Sequence, residues 1–194
     1  FAYNRQDADI YYYLFKNSDG KWIQKELDKG KDTGMAGAIT IDRDDNPHFT
    51  YFTADYKLKY AIVQTNKAMI TPSQTSTKTP TIDEMYPSMV EVLNDKITPS
   101  YSIQNDIAIS PKNEITISYM DWDMVNAKLI LLKQDVQTKK WSKEIVDDQK
   151  APGWSNQIVY LDGKDDPMVL YSTLGEQNLM KAEKVNGIWQ KQLL

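Results

Sequence analysis

The segment Glu114–Asp147, with the sequence EITISYMDWDMVNAKLILLKQDVQTKKWSKEIVD, contains the pattern that decides the fold. Apolar side chains are spaced along three short runs with the two-residue period of half-buried β-strands. The apolar positions of these runs are Ile115, Ile117 and Tyr119, then Leu129 and Leu131, then Trp141 and Ile145. Asp, Asn, Gln, Thr and Lys fill the breaks between the runs, as they do in turns. The segment is therefore predicted to form three consecutive strands.

The same pattern returns along the chain between two aromatic anchors. One is a tyrosine that ends a strand, and the other is a tryptophan about twenty residues later that opens another strand. The anchor pairs are Tyr3 with Trp22, Tyr119 with Trp141, and Tyr171 with Trp189. A fourth copy has Tyr51 but carries Met69 where the tryptophan would stand. The repeat is about fifty residues long, and repeats of that size built from four short strands are typical of β-propeller blades.

The sequence therefore predicts an all-β chain that forms a β-propeller of four-stranded antiparallel blades, about four to five in number. The blades are predicted at about 1–28, 35–72, 86–105, 106–148 and 154–194. The third of these is a partial blade, predicted from a hairpin of Met89–Leu93 and Ile97–Ile103. The first blade lacks its innermost strand. We therefore expect either a fragment of a longer propeller protein or a pairing of two copies that completes the ring.

Composition argues against several classes of protein. A formal net charge of −4 and a pI near 5.1 disfavour nucleic-acid binding, which needs clustered positive charge. No run approaches eighteen apolar residues, so no membrane span is predicted. The absence of cysteine excludes disulfide scaffolds and thiolate metal sites. Because the chain begins at Phe1, without a methionine or a signal peptide, an upstream segment is expected to have been removed.

Further motifs recur within the units, namely Asn46, Pro47, Tyr51, Leu58, Lys59, Tyr60, Ala61, Gly187 and Trp189. Asn17–Trp22 also has the form of a shortened Asp-box, whose full form is Ser-x-Asp-x-Gly-x-Thr-Trp. In these motifs the chain resembles the secreted bacterial β-propeller repeats of the sialidase-like, Asp-box-related group. The resemblance implies blade geometry and an extracellular or cell-surface location in a bacterium. It does not specify an activity, and no Asp-box is complete.

Catalytic residues of the common kinds are not predicted. A sialidase clamps its substrate carboxylate with three arginines, and this chain has two, Arg5 and Arg43, so a complete sialidase site is disfavoured. His48 is the sole histidine, which argues against a catalytic triad or a multi-histidine metal centre and favours a packing or surface role. A pair of carboxylates, as in glycosidases, stays open because the chain contains 27 acidic residues.

One turn has the alternating oxygen ligands of a calcium site, at Asp42, Asp44 and Asn46. The glycine and the final glutamate of the calcium-binding loop pattern are absent. Capping of backbone amides by these side chains is therefore the favoured interpretation. No cofactor and no metal is predicted, with calcium at this turn as the alternative.

In a propeller, ligands usually bind the face formed by the loops between second and third strands and by the crossovers between blades. Residues predicted to bind a ligand there are Arg5, Asp7, Asp55, Tyr56, Asp121, Trp122, Asp123, Trp154 and Glu176, with Asp9 in the same loops. Trp122 and Trp154 are informative because both fall outside the repeated tryptophan position. Aromatic rings beside carboxylates suit a sugar, since rings cover C–H faces while polar groups bind hydroxyls. The alternative is that both tryptophans fill gaps between blades.

The favoured function is a non-catalytic ligand-binding or adhesion β-propeller of an extracytoplasmic bacterial protein, with a glycan as the ligand. The alternative is a carbohydrate-active enzyme, either a glycoside hydrolase or a polysaccharide lyase, or part of one. A propeller that only scaffolds protein contacts is a third hypothesis. A groove that exposes Trp122 or Trp154 without a close pair of acids would favour binding. Two carboxylates about 5 to 10 Å apart in one pocket would favour hydrolysis.

Overall fold

The computed structural model describes residues 2–5, 9–17, 19–31, 33–64, 87–94, 104–122 and 125–194. Their regular elements are β-strands, and no helix long and apolar enough to cross a membrane occurs among them. The strands are β1 (Ala2–Arg5), β2 (Ile10–Lys16), β3 (Trp22–Lys29), β4 (Met35–Ile41), β5 (Pro47–Phe52), β6 (Leu58–Val63), β7 (Pro87–Asn94), β8 (Asn105–Ile109), β9 (Ile115–Trp122), β10 (Ala127–Gln134), β11 (Trp141–Asp147), β12 (Pro152–Val159), β13 (Met168–Thr173), β14 (Leu179–Val185) and β15 (Ile188–Leu193).

The strands form four antiparallel sheets in which neighbours in sequence are neighbours in space. The first sheet is β1–β2–β3, the second β4–β5–β6–β7, the third β8–β9–β10–β11 and the fourth β12–β13–β14–β15. β4 packs beside β8, and β8 packs beside β12, so the first strand of each complete sheet lies innermost. These are the blades of a β-propeller-like fold. The prediction of an all-β propeller is confirmed, and among the described residues the first sheet has three strands where the others have four.

The second and third sheets each bury both faces against their neighbours, and the core therefore lies between the sheets. Tyr11 packs with Phe49 between the first and second sheets. Phe52 packs with Ile117 between the second and third. A third cluster, which includes Leu129, fills the space between the third and fourth sheets. This stacking explains why β9 is buried along most of its length, although its sequence alternates as if one face met solvent.

In the second and fourth sheets the repeated tyrosine forms a hydrogen bond to the sheet before it. The Tyr51 hydroxyl donates to Asp28 Oδ2 at 2.8 Å, and the Tyr171 hydroxyl donates to Asp147 Oδ2 at 2.7 Å. In both cases the carboxylate lies at the end of the outermost strand, β3 or β11, of the preceding sheet. The tyrosine anchor of the repeat is thus a contact between blades.

The repeated tryptophan has a similar role. Trp141 Nε1 donates to Glu91 Oε2, and Trp189 Nε1 donates to Glu144 Oε2, each at 3.2 Å. Each glutamate belongs to the outermost strand of the preceding sheet. Trp22 also lies at the start of the outermost strand of its sheet, as the repeat predicts. The three tryptophans therefore occupy equivalent positions.

The strand predicted at Met89–Leu93 exists, but its place in the fold differs from the prediction. It forms part of β7, which pairs antiparallel with β6 and completes the second sheet, so it does not begin a separate partial blade. Alternation along a strand does not reveal its partner, and a long stretch of sequence separates β6 from β7. The end of the blade predicted at 35–72, from residue 65 onward, and the second half of the hairpin, Ile97–Ile103, lie outside the described residues.

Candidate functional site

The up-and-down strand order gives the molecule two loop-bearing faces. The crossover face carries the loops that join second to third strands, such as β5–β6, β9–β10 and β13–β14, together with the crossover from β11 to β12. The turn face carries the connections between first and second strands, such as β4–β5 and β8–β9, and those between third and fourth strands, such as β10–β11. Pockets open on both faces.

On the crossover face, three acids predicted to bind a ligand are each paired with a lysine. The pairs are Asp55–Lys57 at 2.6 Å, Asp121–Lys143 at 3.1 Å and Glu176–Lys150 at 2.8 Å. Hydrogen bonding to its lysine holds the pKa of Asp55 below its ordinary value, and the same cause lowers the pKa of Glu176. These two carboxylates therefore stay ionised at neutral pH.

The predicted aromatic residues divide into two kinds. Tyr56 packs against the core between the second and third sheets, which is a structural role. Trp122 ends β9 opposite Ala127, and Trp154 lies in β12 where the pairing with β13 shifts register; both are half-buried. The predicted site residues Asp7 and Asp123, and the side chain of Arg5, lie outside the described part of the chain.

Glu176 lies in a pocket of about 360 Å³ between the third and fourth sheets, which we name the Glu176 pocket. Its lining is Asp147, Gln149, Lys150, Thr173, Glu176, Asn178, Met180, Lys191 and Leu193. The Lys150 amino group lies 2.8 Å from Glu176, and Asn178 Nδ2 donates to Glu176 Oε2 at 2.7 Å. An amino group, a carboxylate and an amide therefore meet at the rim, joined by an ion pair and a hydrogen bond.

Asp147 forms the buried end of this pocket and is 4% exposed. Its carboxylate accepts hydrogen bonds from the Tyr171 hydroxyl at 2.7 Å and from Lys191 Nζ at 2.8 Å. The backbone amides of Asp148 and Gln149 donate to it as well. Its oxygens are thus occupied by protein donors, which suits a structural role and leaves little capacity for a ligand.

A second pocket on the crossover face, of about 370 Å³, lies beside Asp106 on the innermost strand of the third sheet. It is lined by Asp106, Ser155, Asn156, Gln157, Leu170, Tyr171, Ser172 and Leu179. Burial raises the pKa of Asp106, although Asp106 Oδ2 accepts a hydrogen bond from the Ile158 amide at 2.7 Å. Asp106 is the sole carboxyl in this lining. A raised carboxyl pKa in a pocket is a feature shared with functional sites.

On the turn face, a groove of about 490 Å³ lies between the second and third sheets. It is lined by Asp42, Asp44, Asn46, His48, Tyr60, Ile62, Gln64, Asn113, Ile115, Gln134, Val136 and Lys139. His48 is 3% exposed, with Nδ1 at 2.7 Å from the Tyr60 hydroxyl and Nε2 at 3.2 Å from Asp42 Oδ2. Burial lowers the pKa of His48, which favours the neutral ring. Both ring nitrogens are engaged, as expected for a packing residue.

Asp42 accepts most of the hydrogen bonds in the turn for which calcium binding is the alternative interpretation. Asp42 Oδ1 accepts hydrogen bonds from the amides of Asp44 and Asn46 at 2.9 and 2.8 Å, and Oδ2 accepts one from Asn46 Nδ2 at 3.0 Å. These contacts are the backbone capping that the sequence favoured. The part of the chain that the structure describes contains no group of three or more His, Cys, Asp or Glu side chains that could hold a metal ion, and calcium at this turn stays a prediction.

Comparison with known proteins bears on the fold. No protein-family model and no curated protein sequence matches the chain. A bifunctional GH43-CE protein of Bacteroides eggerthii is similar in structure, with a TM-score of 0.53 and 13% identity over 94% of this chain and 23% of that protein. The polysaccharide lyase Uly1 is also similar, with a TM-score of 0.51 and 12% identity over 96% of this chain and 52% of the lyase. The chain thus spans about a quarter of one protein and half of the other, and the likeness is one of fold.

Proposed function

We propose that the chain is a non-catalytic, glycan-binding β-propeller unit of an extracytoplasmic bacterial protein, and that the Glu176 pocket binds the saccharide. The observation that carries this proposal is the rim formed by Lys150, Glu176 and Asn178, whose polar groups are held by one another. The names of the two similar structures, one of them a polysaccharide lyase, give further support.

The chemistry of the pocket suits a sugar. Neighbouring hydroxyls of a saccharide need both donors and acceptors, which the amide, the carboxylate and the amino group supply together. Met180 and Leu193 add apolar surface on which the C–H groups of a ring can lie. Because the rim groups already constrain one another, less side-chain freedom is lost when a ligand binds.

The same geometry argues against hydrolysis in this pocket. Glycosidases use two carboxyl groups, one of which is a proton donor with a raised pKa. The pKa of Glu176 is instead lowered, and Asp147 is held by a hydroxyl, an amino group and two backbone amides. Neither residue therefore has the properties of a general acid.

The second candidate function is a carbohydrate-active enzyme, and Asp106 is the residue that favours it. Its pKa is raised by burial, as a proton donor requires. The lining of its pocket supplies no second carboxyl. An Asp106→Asn variant tests this candidate, because any saccharide cleavage by the wild-type chain would fall by about two orders of magnitude or more.

The binding proposal is tested with a glycan array, followed by titration of the best glycan into purified variants. We expect Lys150→Ala and Asn178→Ala each to weaken binding by about tenfold, the equivalent of one lost hydrogen bond to a charged group. Lys112→Ala is the matched control, since Lys112 forms a similarly exposed ion pair with Asp165 at 2.7 Å in turns outside the pocket. An array with no bound glycan, or equal losses in all three variants, would refute the proposal.

A further inference from the structure

The four sheets contact one another in sequence order, and the array has two outer flanks. The first sheet contacts the second, the second contacts the third, and the third contacts the fourth. Within the described residues, no extended contact joins the first and fourth sheets. One face of the first sheet and one face of the fourth sheet therefore lie at the ends of the array. We name these faces the first-sheet flank and the fourth-sheet flank.

The fourth-sheet flank is apolar at its ends and polar in its middle. Ala182 packs toward the third sheet, so strand alternation places Leu179, Lys181 and Val185 on the opposite side. Leu179 is 54% exposed, Val185 50%, and Ile188, which pairs with Val185, 65%. Large aliphatic side chains grouped on one exposed sheet face are typical of an interface.

Residues in the middle of the fourth-sheet flank occupy positions that, in the second and third sheets, bind the next sheet. In the second sheet Tyr60 pairs with Glu91, and in the third Leu131 pairs with Glu144; both glutamates accept an indole N–H from the next sheet. The equivalent pair of the fourth sheet is Lys181 with Gln192. Gln192 therefore offers an amide oxygen where the other two sheets offer a carboxylate oxygen.

The first-sheet flank carries the matching donor. Trp22 pairs with Lys16 at the start of β3, as Trp141 pairs with Gln134 at the start of β11. Tyr13 is buried against the second sheet, and alternation turns Trp22 to the other side, where it is 56% exposed. Glu26, which faces the same way as Trp22, adds a negative charge to this flank.

We propose that two copies of the chain associate, with the first-sheet flank of each copy docked on the fourth-sheet flank of the other. In the geometry of the described interfaces, the Trp22 ring then lies over the Lys181 amino group and its N–H donates to Gln192. The precedent within this chain is the Trp141 ring, which lies 5.3 Å from the ring of Tyr60, the partner of Glu91 in the preceding sheet. Glu26 and Lys181 supply opposite charges across the junction.

Two-fold symmetry makes the assembly closed. Each dimer contains two identical junctions, so that both flanks of both copies are covered and no flank is left to recruit a third copy. The ring then has twice the four sheets that the structure describes in one chain, which is within the range of about four to eight blades known for propellers. This inference does not depend on the saccharide site, which opens between the third and fourth sheets of one chain.

The test is analytical ultracentrifugation of the 194-residue chain over a wide concentration range. We expect a wild-type dimer, and at least a tenfold weaker dimer for Trp22→Ala and for Ile188→Glu. Val125→Glu is the control, because Val125 is 82% exposed in the β9–β10 loop, away from both flanks. Circular dichroism and thermal melting of each variant verify that the sheets are intact.

A mixing experiment identifies which faces meet. A heterodimer of Trp22→Ala with Ile188→Glu contains one junction built from two unaltered flanks, so the mixture is expected to dimerise more tightly than either variant alone. No recovery on mixing would overturn the proposed pairing. A wild-type monomer at all concentrations, an open polymer, or a dimer insensitive to both substitutions would overturn it as well.

Discussion

Asp42 and Asp147 are two carboxylates at the ends of strands, and they differ in how far their contacts extend. Asp42 binds the amides of its own turn and the ring of His48, six residues further along the same sheet. Asp147 ends β11 in the third sheet and binds Tyr171 and Lys191, both of which belong to the fourth sheet. One carboxylate therefore stabilises a turn, and the other joins two blades.

This comparison shows where the stability of the array resides. A turn that loses its capping side chain still connects the same two strands, because the backbone hydrogen bonds between those strands remain. A junction between sheets has no backbone ladder and depends on side-chain packing and on a few buried polar contacts. The contacts of Asp147 are thus expected to affect the whole molecule more than those of Asp42.

The largest expected effect follows from removing each carboxylate. Asp147→Ala leaves the Tyr171 hydroxyl and the Lys191 amino group without their buried acceptor, and we expect the free energy of unfolding to fall by about 3 kcal/mol. Asp42→Ala removes a turn cap and is expected to lower it by about 1 kcal/mol. Urea unfolding followed by tryptophan fluorescence measures both values.

Asp148→Ala is the control, since Asp148 is the exposed neighbour of Asp147 and a surface change of this kind is expected to stay within about 0.5 kcal/mol. A larger loss for Asp42→Ala than for Asp147→Ala would reverse the comparison.

A smaller effect is expected from the tyrosine hydroxyls. Tyr171→Phe and Tyr51→Phe each remove one hydrogen bond to a carboxylate of the preceding sheet. Each substitution is expected to lower the free energy of unfolding by about 1 to 2 kcal/mol. Similar values would indicate that the two junctions are equivalent. Tyr13→Phe is the control, because the structure gives the Tyr13 hydroxyl no carboxylate partner within the described residues. A cost for Tyr13→Phe as large as the other two would contradict the assigned role of the hydroxyls.

The smallest effect concerns pH and the turn face. The pKa of His48 in the folded protein is below its ordinary value of 6.5, so the unfolded chain binds a proton more readily and stability falls as pH drops through 6.5. The pKa of Asp42 is below its ordinary value of 3.8, so a further loss follows as pH drops below about 4. The free energy of unfolding, measured in urea at a series of pH values, should decline in two stages, one below pH 6.5 and one below about pH 4.

His48→Gln separates the two stages, since glutamine does not titrate. We expect this variant to lose the decline that begins near pH 6.5 and to keep the one near pH 4. A decline near pH 6.5 that is unchanged in His48→Gln would assign it to another group.

Much of the fold could be predicted from local patterns. Alternation located the strands of the third and fourth sheets, and the tyrosine and tryptophan anchors marked equivalent positions in different sheets. From the sequence, the strand that forms β7 is predicted to belong to a separate blade. The residues between β6 and β7 do not indicate which strand β7 pairs with. A strand pattern specifies which residues share a face, but it does not specify the partner strand.

The candidate site was predicted only in part. Glu176 is predicted from its place in a second-to-third strand loop, and it lines the Glu176 pocket together with Asp147 and Lys191, which the sequence analysis does not single out. A signal for Asp147 was present, because Asp28 and Asp147 each follow a repeated tryptophan, Trp22 or Trp141, by the same number of residues. Lys191 follows Trp189 as Lys143 follows Trp141, but Lys143 binds Asp121 of its own sheet, so this spacing does not predict that Lys191 reaches Asp147 in a different sheet.

Local sequence patterns predict the elements whose contacts are close along the chain, namely the strands, the hairpins and the turn capped by Asp42. Only the packing of the sheets shows which carboxylate meets which tyrosine, and that Lys150 in a crossover meets Glu176 in a loop. The two kinds of contact differ in their range along the chain. Backbone alternation and capping act over a few residues, whereas contacts between blades depend on how whole sheets pack, which no short stretch of sequence encodes.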